Sequence, residues 1–375
     1  MKESQLYLFR NSSVLLSRLM AAHLLGTVFA YTVYINISSL GDGYLPESFQ
    51  GFDVGFDSTI LVHAIYAYLG FFLPGFLAPM ALGVLVAMLT WHTFRDVYAH
   101  INPKLFWVCN LFPHYLVWSG SSSKEQIVII CGIIVVDYSV RRLFTDRKLK
   151  INLIFVFISL LIMYYIRPNY LVIYSTIFIT SFFYPLLHKI ALNRFTRGVW
   201  ITVFILVIFG VMFVLSFDPK FFREDLVLFM KNVEASFLSY PGNSNRVDIQ
   251  WNDIFDFTYN AFWGIPQGFI GPTLFEVFSK PIQLPAFIEG VIYLFILCFL
   301  FIKLFKIVGA VKNLRVHIMP YFFWVLVIIV ISYPYLIFNP GSALRYKQSI
   351  HPILIFYPLL ILAYVRSKNL TKNSI

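Results

Sequence analysis

Charge is scarce in this sequence. Asp, Glu, Lys and Arg make up 13% of its 375 residues, against 59% hydrophobic, and the mean hydropathy is +0.76. A soluble domain carries about 25% charged residues, so a soluble globular protein is excluded. Cysteine is scarcer still. Cys109, Cys131 and Cys298 all lie in apolar stretches, which leaves neither a disulfide framework nor thiolate metal spacing. No G-x-x-x-x-G-K-[ST] or G-x-G-x-x-G run occurs, so a phosphate-cradling nucleotide loop is absent. No H-x-x-x-H or E-x-x-H pair is present to hold zinc from one helix face. No internal repeat is visible, and nothing favours an inverted-repeat transporter.

What the chain does have is apolar length. A hydrocarbon core of ~30 Å takes ~20 apolar residues per helix, and ten candidate spans can be drawn: 19–40, 72–94, 105–119, 126–140, 151–166, 169–187, 198–217, 286–302, 319–338 and 350–365. The stretch 59–71, interrupted downstream by Pro74 and Pro79, reads as a periplasmic or re-entrant segment feeding one full span. Of 29 Lys and Arg, twenty fall in every second connecting segment with only four Asp and Glu; the other nine share the alternate segments with fourteen. That is the positive-inside pattern of a bacterial inner-membrane protein with both termini cytoplasmic. The net charge of +11 is therefore topological, suits anionic headgroups, and does not point to nucleic acid. The basic N-terminus ahead of an apolar run too long for a cleavable leader reads as an uncleaved first span. The expected fold is all-α: a single polytopic transmembrane bundle over 1–375, with a first periplasmic loop at 41–71 and a large one at 218–285. In the large loop Leu226, Phe229, Met230, Val233 and Phe237 recur at helical spacing, which predicts an amphipathic helix along the membrane surface. A second apolar-faced stretch runs from Trp251 to Trp263.

Four short outer segments hold the polar chemistry. Ser119-Gly-Ser-Ser-Ser-Lys124-Glu125 offers a helix cap and an acid–base pair. Arg167-Pro168-Asn169 places a cation in a turn too short to need one. Glu276 and Lys280-Pro281 precede the eighth span. Asn339-Pro-Gly-Ser-Ala-Leu-Arg345-Tyr-Lys347 reads as a tight turn, after which two cations open a span from its positively polarised end. That placement is unfavourable unless an anion sits nearby. Asp42, between two glycines where the first span emerges, and Arg246, within the large loop, complete the set. Charged groups at the outer lipid boundary suit a substrate with a charged head and a greasy tail. Arginine and lysine would hold a diphosphate and stabilise it as a leaving group. A carboxylate (Asp42, Glu125 or Glu276) would act as general base towards a sugar hydroxyl. His114 and His351, each beside a proline, read as polar core or interface residues rather than catalytic ones.

The blocks Leu40-Gly-Asp42-Gly-Tyr44, Trp118-Ser-Gly-Ser-Ser-Ser-Lys124-Glu125, Arg167-Pro168 and Gly341-Ser-Ala-Leu-Arg345-Tyr-Lys347, with the ten-span architecture, resemble O-antigen and capsular repeat-unit polymerases and the wider group of multi-span glycosyltransferases that use polyprenyl-linked donors. The resemblance implies a periplasm-facing enzyme that transfers a glycan from one polyprenyl diphosphate to the end of another. It also implies Asp42 as base, with Glu125 or Glu276 accessory, and Lys124, Arg167, Arg345, Lys347 and Arg246 at the diphosphate. Its partners would be the lipid-linked glycan, membrane lipids and polysaccharide assembly proteins such as a chain-length regulator. No cofactor is expected; acidic loop one leaves room for a divalent cation. A single-step polyprenyl-phosphate-sugar transferase, a lipid-linked glycan flippase, a membrane acyltransferase and a structural export subunit stay open as alternatives.

Overall fold

The computed structural model describes residues 3–37, 58–145, 150–189, 226–238, 246, 249, 251, 254–310 and 315–372, and no strand occurs among them. Helices are what an apolar chain must form in lipid, because every backbone polar group has to find its partner within the segment. Among the described residues three helical segments are long and apolar enough to cross a membrane: Ser12–Tyr34, Leu77–Phe94 and Pro281–Ile307. The bent pair Pro340–Ser349 and Pro352–Lys368 makes a fourth if counted as one span. The predicted span 198–217 and residues 41–57 of the first loop, Asp42 among them, lie outside the described residues.

The chain divides into two compact units, Met1–Tyr174 with Gln348–Ile375, and Ser175–Lys347. In the first, α1 (Glu3–Phe29) continues through a π-helical turn, Ala30–Tyr34. It packs on α3 (Leu77–Phe94) and α5 (Pro113–Gly120). The approach of α1 to α5 is close enough that a Cβ on Gly120 would lie 3.0 Å from the Thr27 backbone, the small-residue contact that lets membrane helices meet without a hydrophobic driving force. Between them, α2 (Ser58–Phe72) ends at the Leu73–Phe76 turn, where Gly75 takes φ +60.

The predicted span 105–119 is corrected here. It is two eight-residue helices, α4 (Pro103–Asn110) and α5, broken at Leu111–Phe112. Pro113 opens the second, and a proline disfavours helical geometry in the residue before it. Next come α6 (Lys124–Phe144) and α7 (Lys150–Ile166), which pack together, then α8 (Pro168–Lys189). The chain returns to this unit with a π-helical turn at Pro352–Phe356 and α15 (Tyr357–Lys372), both against α6.

The second unit contains α9 (Leu226–Leu238), α10 (Ile254–Ile270), α11 (Leu274–Ser279), α12 (Leu284–Ala310), α13 (Arg315–Ile337) and most of α14 (Pro340–Ser349). α10 packs on α12 and α13; a Cβ on Gly290 would meet the Ile270 carbonyl at 1.9 Å, so only glycine fits. The helix predicted near 226–237 is present, but its surroundings differ. Met230 and Val233 are buried in a core with Ile249, Trp251, Tyr333, Ile337 and Phe338. Protein covers Met230 and Val233, and Lys231 and Asn232 face out.

Candidate functional site

Five of the sequence-predicted residues form two clusters, one in each unit: Lys124, Glu125 and Arg167, and Arg246 and Glu276. The first is built on the turn between α5 and α6. Ser123 caps α6, its hydroxyl accepting from the Gln126 N–H at 3.2 Å, and Glu125 follows in the first turn, where a carboxylate complements the helix N-terminus. Side chains from α1, its π-helical turn, α2 and α6 hold the turn. His23 Nδ1 lies 2.9 Å from Ser119 Oγ, and Tyr31 Oη accepts the Ser122 N–H at 2.9 Å. Tyr66 Oη accepts the Ser123 N–H at 3.2 Å and donates to Gln126 Oε1. Gln126 Nε2 donates to the Pro79 and Ser119 carbonyls at 2.8 and 2.6 Å. The π-helical turn in α1 places Tyr31 for this contact; such turns recur at functional sites.

Arg167 reaches this turn from the α7–α8 junction. Its N–H closes α7 on the Met163 carbonyl, Pro168 opens the next helix, and Nη2 donates to Glu125 Oε1 at 2.6 Å. The Glu125 side chain is wholly buried while that of Arg167 stays 21% exposed. Lys124 Nζ donates to Thr59 Oγ1 on α2 at 2.9 Å. Lys124, Glu125 and Arg167, adjacent or 42 positions apart in sequence, are thus gathered at one turn. A cation with an outward-facing side and a buried carboxylate behind it can accept an incoming oxyanion by exchanging one acidic partner for another.

In the second unit Arg246 and Glu276 form a two-pronged pair. Arg246 Nε donates to Glu276 Oε1 and Nη2 to Oε2, both at 2.8 Å. Nη1 donates to the Ile337 carbonyl and Nη2 to that of Gly271, each at 2.7 Å. Glu276 also closes a capping box: Oε2 accepts the Thr273 N–H while the Thr273 hydroxyl accepts the Glu276 N–H. Burial pushes the Glu276 carboxyl up, but the bonds from Arg246 and the Thr273 backbone outweigh it and bring it below the ordinary value. A carboxylate held this way is a poor proton acceptor, and the guanidinium beside it is committed to backbone carbonyls. This geometry gives Glu276 and Arg246 a structural role.

Arg345 and Lys347 also differ from the sequence reading. Asn339 Oδ1 accepts the Gly341 and Ser342 N–H groups, and α14 starts at Pro340. The two cations therefore follow more than a turn into a helix, with Lys347 in its last turn, where positive charge is favoured. The anion inferred from their placement at a span's N-terminus loses its electrostatic reason. Lys347 is buried, donates from Nζ to the Phe269 carbonyl at 2.9 Å and lies 5.1 Å from the Tyr293 ring centre, with Glu289 near enough to attract it. The Arg345 guanidinium stands over the Tyr346 ring.

One cluster escaped the sequence reading. Arg141, counted there as topological charge, is buried in a network: Nε donates to Asp137 Oδ1 at 2.7 Å, Nη1 to Asp96 Oδ2 and Nη2 to the His92 carbonyl, both at 2.5 Å. The four-residue spacing of Asp137 and Arg141 on a helix was the available signal; Asp96, 45 positions away, had none. His114 and His351 are buried, His351 stacked on Tyr115 at 4.3 Å. Among the described residues no three His, Cys, Asp or Glu side chains converge as metal ligands. No family model, curated protein or solved structure matches this chain.

Proposed function

We propose that this chain is a bacterial inner-membrane glycosyltransferase of the repeat-unit polymerase type, with about ten spans, both termini cytoplasmic and its working face periplasmic. The observation that carries the reading is the Glu125–Arg167 pair on the serine turn, with Lys124 beside it. The substrate is a polyprenyl-diphosphate-linked glycan. Arg167 exchanges Glu125 for the diphosphate, Lys124 adds a second cation, and together they stabilise negative charge as the anomeric carbon–oxygen bond breaks. The acceptor hydroxyl of a second lipid-linked glycan attacks that carbon and forms the new glycosidic bond. Its proton goes to a carboxylate, Asp42 by the resemblance, and the diphosphate leaves with the bonding electrons. Glu125 is a positioning residue: it holds Arg167 ready until an anion arrives.

Purified protein given a synthetic polyprenyl-diphosphate oligosaccharide should produce a ladder of lengthened products. Arg167→Ala should abolish the ladder and Asp42→Asn should do the same. Ladders that survive Arg167→Ala and Lys124→Ala together would overturn the diphosphate assignment. A lone addition would identify a single-step transferase, and lipid redistribution across a vesicle without lengthening would identify a flippase.

A further inference from the structure

α9 buries Met230 and Val233 in protein, whereas α10 exposes an apolar stripe. Tyr259, Phe262, Trp263 and Pro266, at spacings of 3, 1 and 3, lie on an arc of about 100° at 3.6 residues per turn, and all four are exposed. Phe262 is 81% exposed. The opposite side is fixed by contact with α13: a Cβ on Gly264 would meet Ile337 at 2.7 Å, and one on Gly268 would meet Leu336 at 2.8 Å. α10 therefore cannot roll to hide its rings. After Gly271, which turns the chain at φ +90, α11 exposes Phe275 and Phe278, at 85% and 74%.

We infer that α10 and α11 are seated in the acyl-chain boundary of the bilayer through Tyr259, Phe262, Trp263, Phe275 and Phe278, and that residues 259–278 are a membrane element rather than free loop. The occupant is identified by continuity. Exposed Phe275 and Phe278 on α11 are followed, across the break at Lys280, by exposed Ile282 in the 3-10 turn Pro281–Gln283 that leads directly into the span. Exposed apolar positions resume as Ile288, Ile292, Phe295, Phe299 and Ile302 along a segment apolar enough to cross a membrane. Whatever covers the lower part of this strip covers the upper part, and for a spanning helix that is lipid. Trp263 suits the position: its Nε1–H is already donated to Asn260 Oδ1 at 3.2 Å, so the indole enters an apolar layer with its polar group satisfied. Exposed Lys280 sits at the junction of α11 with the span, the level at which lysine meets lipid phosphates. Rings at this depth are the usual interfacial anchors.

The test is spin-label accessibility in vesicles of phosphatidylethanolamine and phosphatidylglycerol, and it needs no turnover. In a Cys298→Ser background, where Cys109 and Cys131 are buried, single cysteines are placed by Phe262→Cys and Phe275→Cys. Phe295→Cys on the span and Lys231→Cys on α9 are the references. Collisions with dissolved oxygen should dominate those with a water-soluble nickel chelate at 262 and 275, as at 295, with a ratio several-fold above that at 231. Tyr259→Cys and Phe278→Cys read the same faces if either first variant fails to fold. Chelate access at 262 and 275 equal to that at 231 would overturn the inference; equal access at 295 as well would overturn it together with the span it continues.

Discussion

Replacing Arg246 with alanine tests the reading of the second cluster as a structural lock. The substitution removes four hydrogen bonds at once, two to Glu276 and two to the carbonyls of Ile337 and Gly271. It leaves a carboxylate whose side chain is only 25% exposed without its cation. Removing one partner of a buried pair costs about 3–5 kcal/mol, and partial exposure puts this case near the low end, about 3 kcal/mol. Glu276→Gln can keep the capping box, since glutamine serves at that position, but its amide nitrogen replaces the oxygen that accepts from Arg246 Nε, so one charged hydrogen bond is lost, about 1.5–3 kcal/mol. Each kcal/mol moves the midpoint of a unit of 150–250 residues by about 2–4 °C, so Arg246→Ala should lower it by roughly 6–12 °C. Tryptophan fluorescence on heating the detergent-solubilised chain is a suitable assay, because Trp251 belongs to the core packed on Tyr333 and Ile337. Glu276 ionises below its ordinary value, so the lock is at full strength above that value and lost as pH falls through the folded one. The gap between wild type and Arg246→Ala should therefore narrow in acid to what the bonds to the Ile337 and Gly271 carbonyls contribute. A shift under about 2 °C at neutral pH, or a gap that does not narrow in acid, would refute the structural lock.

Three further outcomes follow from the same geometry. Glu125→Leu and Arg167→Leu should each cost about 3–5 kcal/mol and the double variant less than either, because an uncompensated buried charge is worse than none; a thermal double-mutant cycle reads this. Gly120→Ala puts a Cβ 2.3 Å from Thr27 Oγ1 and 3.0 Å from its backbone, so the α1–α5 contact must open, at about 1–3 kcal/mol, seen as a lower melting midpoint. Asn339→Ala removes the α14 cap and should cost about 1 kcal/mol, while Asn339→Asp should keep most of it.

Helical class, the absence of strands among the described residues, the serine cap of α6 and the core placement of His351 were legible in the sequence, because each rests on composition or on neighbours in the chain. Partners were not. Arg167 signalled a site by standing in a three-residue turn, but nothing local announced Glu125 as its counter-ion. Arg345 and Lys347 were misplaced for a local reason. The Asn-Pro-Gly-Ser run looks like a free turn, whereas Asn339 caps it and Pro340 begins a helix, which moves both cations away from the N-terminus. The stripe of α9 shows the same limit: periodicity reveals an apolar face, not whether lipid or Tyr333 covers it.

The division of the chain sets an order of assembly during synthesis. Unit one takes both ends of the sequence, with Ser175–Lys347 inserted between them, and Tyr174 Oη donates to the Ser349 carbonyl at 3.0 Å where its two parts rejoin. The early helices, the serine turn and the Glu125–Arg167 pair are made first. The face of α6 that receives Pro352–Phe356 and α15 then waits for the inserted unit to be translated, roughly 10–35 s at about 5–20 residues per second. Throughout that interval the Glu125–Arg167 pair belongs to a unit whose last helix has yet to be made.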